Sequence, residues 1–389
     1  MKLLHTSDWH VGKLLRGRSR ADEHRAVLAE IVAVAGNEPV DLVLVAGDLF
    51  DTPAPSPESE SIVYRALLAL AEVAPVVVVS GNHDNPRRLA AVAPLFEMGR
   101  VHVASEVRRP DDGGVLNLEA GGVPVRVATV PFVSQRGIIR AHQLVSPDQL
   151  APDQVSPAYA DRLSRVLDAL ASGFDGSAVE LVLGHLFAAG ATMGGGERSA
   201  HTIFEYSIPA TSFGVKPSYV ALGHLHRAQN VPAGVPVRYC GSPLQLDFGE
   251  TGDEKSVTVV EVAPSTPTSV REVGLRSGRR LRTITGTLDE LDALRGTTGD
   301  DVLKARVEGS ATMGMGDQIR DWFPEAVDVE ILDPEGPVGP VRTARDGSSP
   351  RELFEQFLTE EREAEPEVLA LFDELLDDLY EPTPAGVGP

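Results

Sequence analysis

The sequence predicts a layered α/β protein of two or three domains, and three observations support this fold class. The chain has 389 residues, of which 42% are hydrophobic and 24% charged, a balance typical of globular proteins with a buried core. Its first 262 residues alternate short apolar, β-branched runs with helical patterns. Short polar motifs directly follow several of these runs, where α/β sheets usually carry their functional sites.

Strands and helices are assigned from these two periodicities. Continuous apolar runs that contain β-branched residues predict buried strands, and segments of helical period lie between the early strands. The predicted strands cover residues 42–45, 76–79, 125–130, 181–183, 219–222, 237–239 and 257–262, and the predicted helices cover 22–34, 57–70 and 86–96.

Composition divides the chain into units. Residues 1–263 form the predicted main domain, and a stretch rich in Pro, Ser and Thr at 264–278 predicts a linker. Residues 279–345 predict a small α/β cap, because strand-like and helix-like segments alternate there. The predicted strands of the cap are 281–286 and 302–307, and its predicted helices are 288–294 and 316–322.

The C-terminal segment 349–381 predicts a helical hairpin. Ser349, Pro350 and Glu352 match the capping, first-turn and capping-box positions of a helix start, and Pro366 begins a second amphipathic helix. Two amphipathic helices at an acidic end either dock on their own domain or bind a partner, and the pattern leaves both possibilities open.

The formal net charge of −22 argues at first against a nucleic-acid partner. However, residues 351–389 hold twelve Asp or Glu and two Arg, so the tail alone contributes a balance of −10. Positive charge accompanies the polar motifs instead. Such short basic runs are equally typical of DNA contacts and of a solvated surface. The candidate DNA-contacting residues are Lys13, Arg16, Arg18, Arg20, Arg87 and Arg88.

The sequence also predicts a compartment. The N-terminal residues become polar too early for a secretion signal, and no apolar run approaches the ~20 residues of a membrane-spanning helix. The single cysteine, Cys240, cannot form an intrachain disulfide, which is typical of a reducing environment. We therefore expect a cytoplasmic protein without a membrane partner.

Five short motifs occur along the first 226 residues, each where an apolar run ends. Together they contain seven oxygen or nitrogen donors suited to metal ions and one additional histidine. Any one such motif is common by chance, but five in this order are specific. The motifs are Asp8-Trp9-His10, Gly47-Asp48-Leu49-Phe50-Asp51, Gly81-Asn82-His83-Asp84, Gly184-His185 and Gly223-His224-Leu225-His226.

The donor types predict a two-metal phosphoester hydrolase. Asp8 and His10 are two residues apart, so both side chains can point the same way from an extended segment. Asp48 can bridge two cations. Imidazole, carboxylate and amide ligands without thiolate suit manganese, iron or zinc, and two such ions polarise a phosphate and generate hydroxide near neutral pH. The predicted metal ligands are Asp8, His10, Asp48, Asn82, His185, His224 and His226.

The additional histidine, His83, is the candidate catalytic residue. An imidazole beside a metal ligand can protonate the departing oxygen or stabilise charge in the transition state. Asp84 is the second candidate catalytic residue, as the group that orients this imidazole. Asp51 either accepts a hydrogen bond near the site or is only a turn residue.

The order of motifs resembles the calcineurin-like metallophosphoesterase superfamily and, within it, the SbcD family of nuclease subunits. Besides the motifs, the resemblance rests on residues 4–13, on Gly241-Ser242-Pro243 followed by Gln245, and on residues 280–291 of the cap. It covers the chain to about residue 345. It implies a four-layer β-sandwich flanked by helices, with the small α/β cap and the C-terminal helical hairpin as additions.

The resemblance also implies a cofactor and roles for the residues. Two divalent ions, Mn²⁺ in this family, are expected, with Asp48 as the bridging ligand and His83 as the catalytic histidine. One ion is expected at Asp8, His10, Asp48 and His226, and the other at Asp48, Asn82, His185 and His224.

Partners and activity follow from the same resemblance. It implies a homodimer built through helices near the second and third motifs, where Leu67, Leu89, Val92 and Phe96 are either contacts or core residues. It implies a partner, SbcC, an SMC-like ABC-type ATPase whose coiled-coil base is gripped by the tail 349–381. The expected activity is ATP-dependent 3′-to-5′ exonuclease on duplex ends and endonuclease on single strands and hairpins. These activities imply a nucleoid-associated role in DNA repair, recombination and replication.

Two other functions fit the same motifs. The superfamily shares its metal site across substrates, so the chain could be a phosphodiesterase or phosphatase for nucleotides, small diesters or phosphoproteins. However, Asp51 is followed by Thr52-Pro53, not by the Arg-Gly typical of phosphoprotein phosphatases. The chain could also be a non-catalytic assembly subunit, but the complete donor set argues against this function.

Overall fold

The computed structural model describes residues 1–145, 159–194, 207–310 and 312–333, together with Phe354. Apart from Phe354, the predicted hairpin 349–381 lies outside the described residues. Within the described part of the chain, no helix is both long and apolar enough to cross a membrane.

The described residues form strands and α-helices that mostly alternate in the first half of the chain. The strands are β1 Lys2–Thr6, β2 Leu14–Leu15, β3 Arg18–Ser19, β4 Leu42–Val45, β5 Val76–Val79, β6 Val101–Ala104, β7 Val115–Ala120, β8 Val123–Val130, β9 Val179–His185, β10 Phe187–Ala188, β11 Ser207–Ile208, β12 Tyr219–Gly223, β13 Gln229–Val231, β14 Val237–Tyr239, β15 Ser256–Glu261, β16 Ser269–Gly274, β17 Leu281–Gly286, β18 Val302–Glu308 and β19 Ala326–Leu332. The helices are α1 Ala21–Asn37, α2 Pro57–Val73, α3 Pro86–Glu97, α4 Gln135–Val145, α5 Tyr159–Leu170, α6 Leu288–Ala293 and α7 Met315–Trp322.

Two six-stranded sheets form the centre of the main domain. The first sheet has the order β16-β15-β1-β4-β5-β6, in which β1, β4, β5 and β6 are mutually parallel. The second has the order β13-β14-β12-β9-β8-β7, in which β14, β12, β9 and β8 are mutually parallel. Antiparallel strands complete both sheets.

Side-chain alternation along the strands creates three apolar layers. In β4, Leu42 and Leu44 pack against the second sheet, whereas Val43 and Val45 pack against α1, α2 and α3. The outer face of the second sheet packs against α4 and α5. The result is a four-layer arrangement of helices, sheet, sheet and helices, and the predicted fold class is confirmed.

Several residues considered as dimer contacts belong to this core. Leu67, Leu89 and Phe96 are at most 5% exposed and lie in the cluster between the helices and the first sheet. Val92 is partly buried against the same cluster. Core packing therefore explains all four residues within the single chain.

The cap is a small α/β unit. Strands β17, β18 and β19 form a parallel sheet, against which α6 and α7 pack through Leu291 and Ile319. Thr287 and Glu290 form a capping box at the start of α6. The predicted cap strands and helices are confirmed, and β19 is an addition. The range predicted as a linker, 264–278, contains β16, which pairs with β15.

The cap contacts the main domain through a short hairpin and through the 3₁₀ turn Phe248–Glu250. The hairpin β2–β3 lies just after the first motif, and its Leu15 packs with Phe248, Leu281 and Val302 in a separate apolar cluster. Leu281 and Val302 belong to the cap, so this cluster joins the two units. We call these four residues the cap-contact cluster.

Candidate metal centre

The segments that follow β1 and β4 are held together by main-chain hydrogen bonds. The amide of Asp8 donates to the carbonyl of Gly47 at 2.9 Å, and that of His10 donates to the carbonyl of Asp48 at 3.0 Å. The amide of Val11 continues the series with the carbonyl of Leu49 at 3.0 Å. The two motifs therefore extend the parallel pairing of their strands, and this fixes Asp8 and His10 in register with Asp48.

The segment after β5 is joined to the segment after β4 by the carboxylate of Asp84. Asp84 accepts hydrogen bonds from the amides of Gly81 at 2.8 Å, Phe50 at 3.1 Å and Leu49 at 3.3 Å. Burial and the nearby charge of Asp48 raise the pKa of Asp84 to about 7, against the opposing effect of these amides. Asp84 therefore fixes the loop after β5 against the loop after β4.

This contact pattern corrects the role expected for Asp84. The His83 ring is held by another group, because its Nδ1 lies 2.7 Å from the carbonyl oxygen of Asp51. The main chain of the second motif, not the carboxylate next in sequence, orients the imidazole. The ring of His83 also meets the ring of His10 edge-on, with centroids 4.5 Å apart.

Residues from the second sheet reach across to the first. The carboxylate of Asp8 accepts the amide hydrogen of His224 at 3.0 Å, and His185 Nδ1 donates to the carbonyl of Ala46 at 2.8 Å. The carboxyl ends of β1, β4 and β5 thus face those of β9 and β12. All seven predicted ligands meet in the crevice between the two sheets.

The seven predicted ligands form two adjoining groups around Asp48. Asp8, His10 and His226 have donor atoms within 4.8 Å of one another, as do Asp8, Asp48 and His185. Asn82 and His224 complete the second group. The defining distances are His10 Nε2–His226 Nε2 3.1 Å, His10 Nε2–Asp48 Oδ2 3.4 Å, His185 Nε2–Asp48 Oδ2 3.5 Å, His185 Nε2–Asn82 Oδ1 2.9 Å, His224 Nδ1–Asn82 Oδ1 2.9 Å and His224 Nδ1–His185 Nε2 3.3 Å.

Hydrogen bonds and burial suit several of the histidines to metal binding. His185 uses its Nδ1 hydrogen on a carbonyl and His226 places Nδ1 2.9 Å from Glu250, so each can direct a lone pair on Nε2 into the crevice. Burial lowers the pKa of His10 to about 3 and also lowers that of His185, which keeps both rings neutral. Imidazole nitrogens only 3.1–3.3 Å apart, as in the pairs His10–His226 and His185–His224, are suited to sharing a cation.

The carboxylates also suit cations. Burial favours the neutral form of Asp48, but the imidazoles of His185 and His83 hold its pKa well below the usual range. Burial raises the pKa of Asp8 well above its usual range, and its neighbour Asp48 adds to this effect. Two buried carboxylates this close need positive charge beside them, and divalent cations supply it. The residues present therefore fit a divalent-metal site.

The ligand positions carry backbone strain. Asp8, His10, Asp48 and His224 all have positive φ, at 53°, 46°, 51° and 104°. Non-glycine residues rarely adopt this conformation, and it persists where the surrounding structure enforces it. Here the interlocked loops enforce it, so the strain marks a site that is shaped before any ligand binds.

Glycines next to the ligands allow this close approach. A Cβ on Gly223 would lie 1.9 Å from the carbonyl oxygen of Ala46, and one on Gly81 would lie 2.0 Å from Asp48 Oδ1. Both distances are far below van der Waals contact, so only glycine fits. The glycines of the third and fifth motifs are therefore required by packing between the loops.

The structure adds residues that the sequence did not single out. Glu250 is fully buried beside His226, and Phe132 stacks on His224 with ring centroids 6.3 Å apart. Burial would raise the pKa of Glu250, but the hydrogen bond with His226 and the charge of Lys255 lower it to about 2. Neither residue lies in a motif or next to one, so no sequence signal identified them.

Most of the candidate DNA-contacting residues form ion pairs. Arg20 is only 4% exposed, and its guanidinium binds Glu23 and the Gln245 carbonyl, so it is a structural residue rather than a surface contact. Arg87 is exposed. The other pairs are Lys13–Asp51 at 3.4 Å, Arg16–Asp328 at 2.9 Å, Arg18–Glu325 at 2.7 Å and Arg88–Glu60 at 2.7 Å.

Comparison with known proteins agrees with this geometry. The profile of the calcineurin-like phosphoesterase family matches residues 1–228. The chain is 35% identical to the SbcD subunit of the SbcCD nuclease of Bacillus subtilis over 285 residues, 72% of this chain and 71% of that protein. It is 35% identical to the SbcD subunit from Rhodobacter capsulatus over 275 residues, 68% of this chain and 67% of that one.

A more distant relative extends the likeness. The SbcD subunit of the SbcCD nuclease of Escherichia coli K12 is 29% identical over 295 residues, 75% of this chain and 73% of that protein. The family match covers all five motifs, and the relatives cover more than two thirds of the chain. The chain therefore belongs to the calcineurin-like phosphoesterase family and, within it, to the SbcD nuclease subunits.

Proposed function

We propose that this chain is the catalytic subunit of an SbcCD-type nuclease and hydrolyses DNA phosphodiester bonds with two divalent cations. The observation that carries the proposal is the pair of adjoining donor groups that share Asp48, with His83 beside them. A complete, buried and strained donor set is difficult to reconcile with a purely structural subunit.

The cations of this proposal are two Mn²⁺ ions. Oxygen and nitrogen donors without thiolate suit manganese, and Asp48 is placed to contribute to both groups. When bound, such a pair polarises the phosphate and supplies a hydroxide nucleophile. One ion is assigned to Asp8, His10, Asp48 and His226, and the other to Asp48, Asn82, His185 and His224.

His83 supplies proton chemistry in this proposal. Because its Nδ1 hydrogen is held by the Asp51 carbonyl, Nε2 is the atom available to the substrate. A nitrogen of the ring lies within 4.8 Å of the donor atoms of His10 and Asp48, close to where the phosphate must sit. In the imidazolium form both ring nitrogens of His83 carry hydrogen, and Nε2 then donates its proton to the departing oxygen, or a hydrogen bond to the transition state, while Nδ1 stays bound to the Asp51 carbonyl.

DNA is the proposed substrate, with 3′-to-5′ exonuclease activity on duplex ends and endonuclease activity on single strands and hairpins. The names of the relatives describe nucleases and support this substrate class. Lys13, Arg16, Arg18, Arg87 and Arg88 are the proposed phosphate contacts. Arg87 and Arg88 lie at the start of α3, directly after the motif that contains His83.

The proposal also includes an ATPase partner and a homodimer. The names of the relatives describe one subunit of an SbcCD complex, which supports an SbcC-type ATPase as partner, bound by the tail 349–381. A homodimer is proposed through α2 and α3, where Leu68 and Leu95 are 43% and 70% exposed and Met98, the residue after α3, is 86% exposed. The complex is proposed to act in DNA repair, recombination and replication at the nucleoid in the cytoplasm.

The proposed role of His83 predicts a specific loss. Replacing it in His83→Gln is expected to reduce Mn²⁺-dependent degradation of an end-labelled duplex by ~10²–10⁴-fold, because a proton donor is removed while the ligands stay. Mn²⁺ binding is expected to be unchanged. Degradation is measured with and without an SbcC-type partner. His102→Gln, a half-buried position on β6, is the matched control and keeps full activity.

Two results would contradict this proposal. Full nuclease activity in His83→Gln would remove His83 from the chemical step. A wild-type chain that leaves the duplex intact with its partner present, but hydrolyses a small phosphodiester, would indicate a phosphodiesterase instead.

The proposed DNA surface predicts a change in salt dependence. In the His83→Gln background, Arg87→Gln and Arg88→Gln together are expected to make the slope of log K against log salt shallower by about 0.9 per charge. Duplex binding is followed by fluorescence anisotropy over a salt series. Arg25→Gln, an exposed ion-paired position on α1, is the control, and equal slopes in all variants would refute the surface.

A further inference from the structure

Glu250 is a fully buried carboxylate without an assigned role. It ends the 3₁₀ turn Phe248–Glu250, outside the five motifs, and its side chain has no solvent exposure. Burying a carboxylate costs several kcal/mol unless protein donors satisfy it. The hydrogen-bond partners of its two oxygens therefore indicate which residue the turn positions.

Both oxygens of Glu250 have partners. Oε1 lies 2.9 Å from Nδ1 of His226, one of the proposed metal ligands. Oε2 accepts hydrogen bonds from Lys255 Nζ at 2.7 Å and from the amide of Leu246 at 3.1 Å. The lysine and the amide fix the carboxylate, and the carboxylate holds the imidazole.

The same group of residues also holds the main chain of His226. Lys255 Nζ donates to the His226 carbonyl oxygen at 3.0 Å, and the amide of Ser242 donates to that oxygen at 3.1 Å. Lys255 is itself buried, with 8% of its side chain exposed. His226 is therefore fixed at its ring and at its carbonyl by one connected set of groups.

The turn that carries Glu250 contacts the cap. Phe248, two residues before Glu250, belongs to the cap-contact cluster with Leu281 and Val302. A second contact is polar, because the amide of Leu281 donates to Gln245 Oε1 at 2.7 Å, while Gln245 Nε2 donates to the carbonyl of Thr251 at 3.3 Å. Phe248 within the turn and Gln245, which binds the residue that follows the turn, therefore both contact the cap.

We propose that Glu250 is a positioning residue for His226, and that its turn makes the geometry of the metal site depend on the position of the cap. This inference rests on the proposed metal function. Glu250 fixes the ring so that the lone pair of His226 Nε2 faces His10, and a carboxylate partner strengthens the imidazole as a ligand. The cap sets where the turn lies, and through it where His226 lies.

Glu250→Gln tests the positioning role, because glutamine keeps the shape of the side chain and removes its charge. Calorimetric titration of metal-free protein with Mn²⁺ is expected to show two sites in the wild type. In the variant, one site is expected to be about 10-fold or more weaker. Lys255→Met is expected to weaken the same site. The Tm of each metal-free variant checks that the fold is kept.

Glu38→Gln is the matched control for this titration. Glu38 also accepts two ion pairs, from Lys2 and Arg271, but at the opposite end of β1 from the ligands. It is expected to bind Mn²⁺ as the wild type does. A wild type without Mn²⁺ sites would overturn the proposed metal function. Two unweakened sites in both Glu250→Gln and Lys255→Met would overturn the positioning role alone.

A pair of cap variants tests the link to the cap. Val302 and Val307 are both buried in β18, but only Val302 belongs to the cap-contact cluster. Val302→Ala is expected to weaken Mn²⁺ binding several-fold, whereas Val307→Ala lowers the stability of the cap without changing metal affinity. Equal Mn²⁺ affinities in the two variants and the wild type would overturn the link.

Discussion

Hydrogen bonds between the segments that follow β1, β4 and β5 are the interaction on which the site depends. Main-chain bonds continue the pairing of β1 with β4 beyond the strands, and the Asp84 carboxylate adds the third segment. Parallel strands end at one edge of a sheet, so this interlocking needs no long loops. It places donors from distant parts of the sequence within a few ångströms.

This arrangement places strain on the backbone. Four proposed ligands have positive φ, and two glycines stand where a Cβ would collide with a neighbouring loop. The loops hold these conformations because each carboxylate serves two purposes. Asp8 accepts the His224 amide, and Asp48 Oδ1 accepts the His83 amide at 2.8 Å, while Asp48 Oδ2 lies 3.4 Å from His10 Nε2 and 3.5 Å from His185 Nε2. Ligand position and loop structure are therefore fixed by the same atoms.

The sequence was sufficient to predict the fold class, helices α1 to α3, many of the strands and the grouping of the ligands, but β1, α4 and α5 were not among the predicted elements. Continuous apolar runs such as 42–45 and 76–79 specify buried strands, and a motif at the strand end specifies where the donors meet. Sequence proximity was misleading for Asp84. It adjoins His83 in the chain, yet its carboxylate is directed to main-chain amides, a direction that local sequence does not encode.

Long-range contacts explain the other differences. Glu250 is 24 residues from His226 and in no motif, so only the folded chain shows that they are partners. The basic residues Arg16 and Arg18 meet carboxylates more than 300 residues away, on the cap. Part of the positive charge near the site is thus already compensated within the chain. Bound cations would then supply much of the attraction for a DNA phosphate that the chain's net charge opposes.

The proposed nuclease chemistry requires that the seven donors grouped at Asp48 hold two cations. Anomalous diffraction from crystals grown with Mn²⁺ tests it most directly, because each ion gives its own peak. We expect two peaks about 3.5–4 Å apart, with one carboxylate oxygen of Asp48 within bonding distance of both. A single peak, or two peaks that do not share Asp48, would contradict the account.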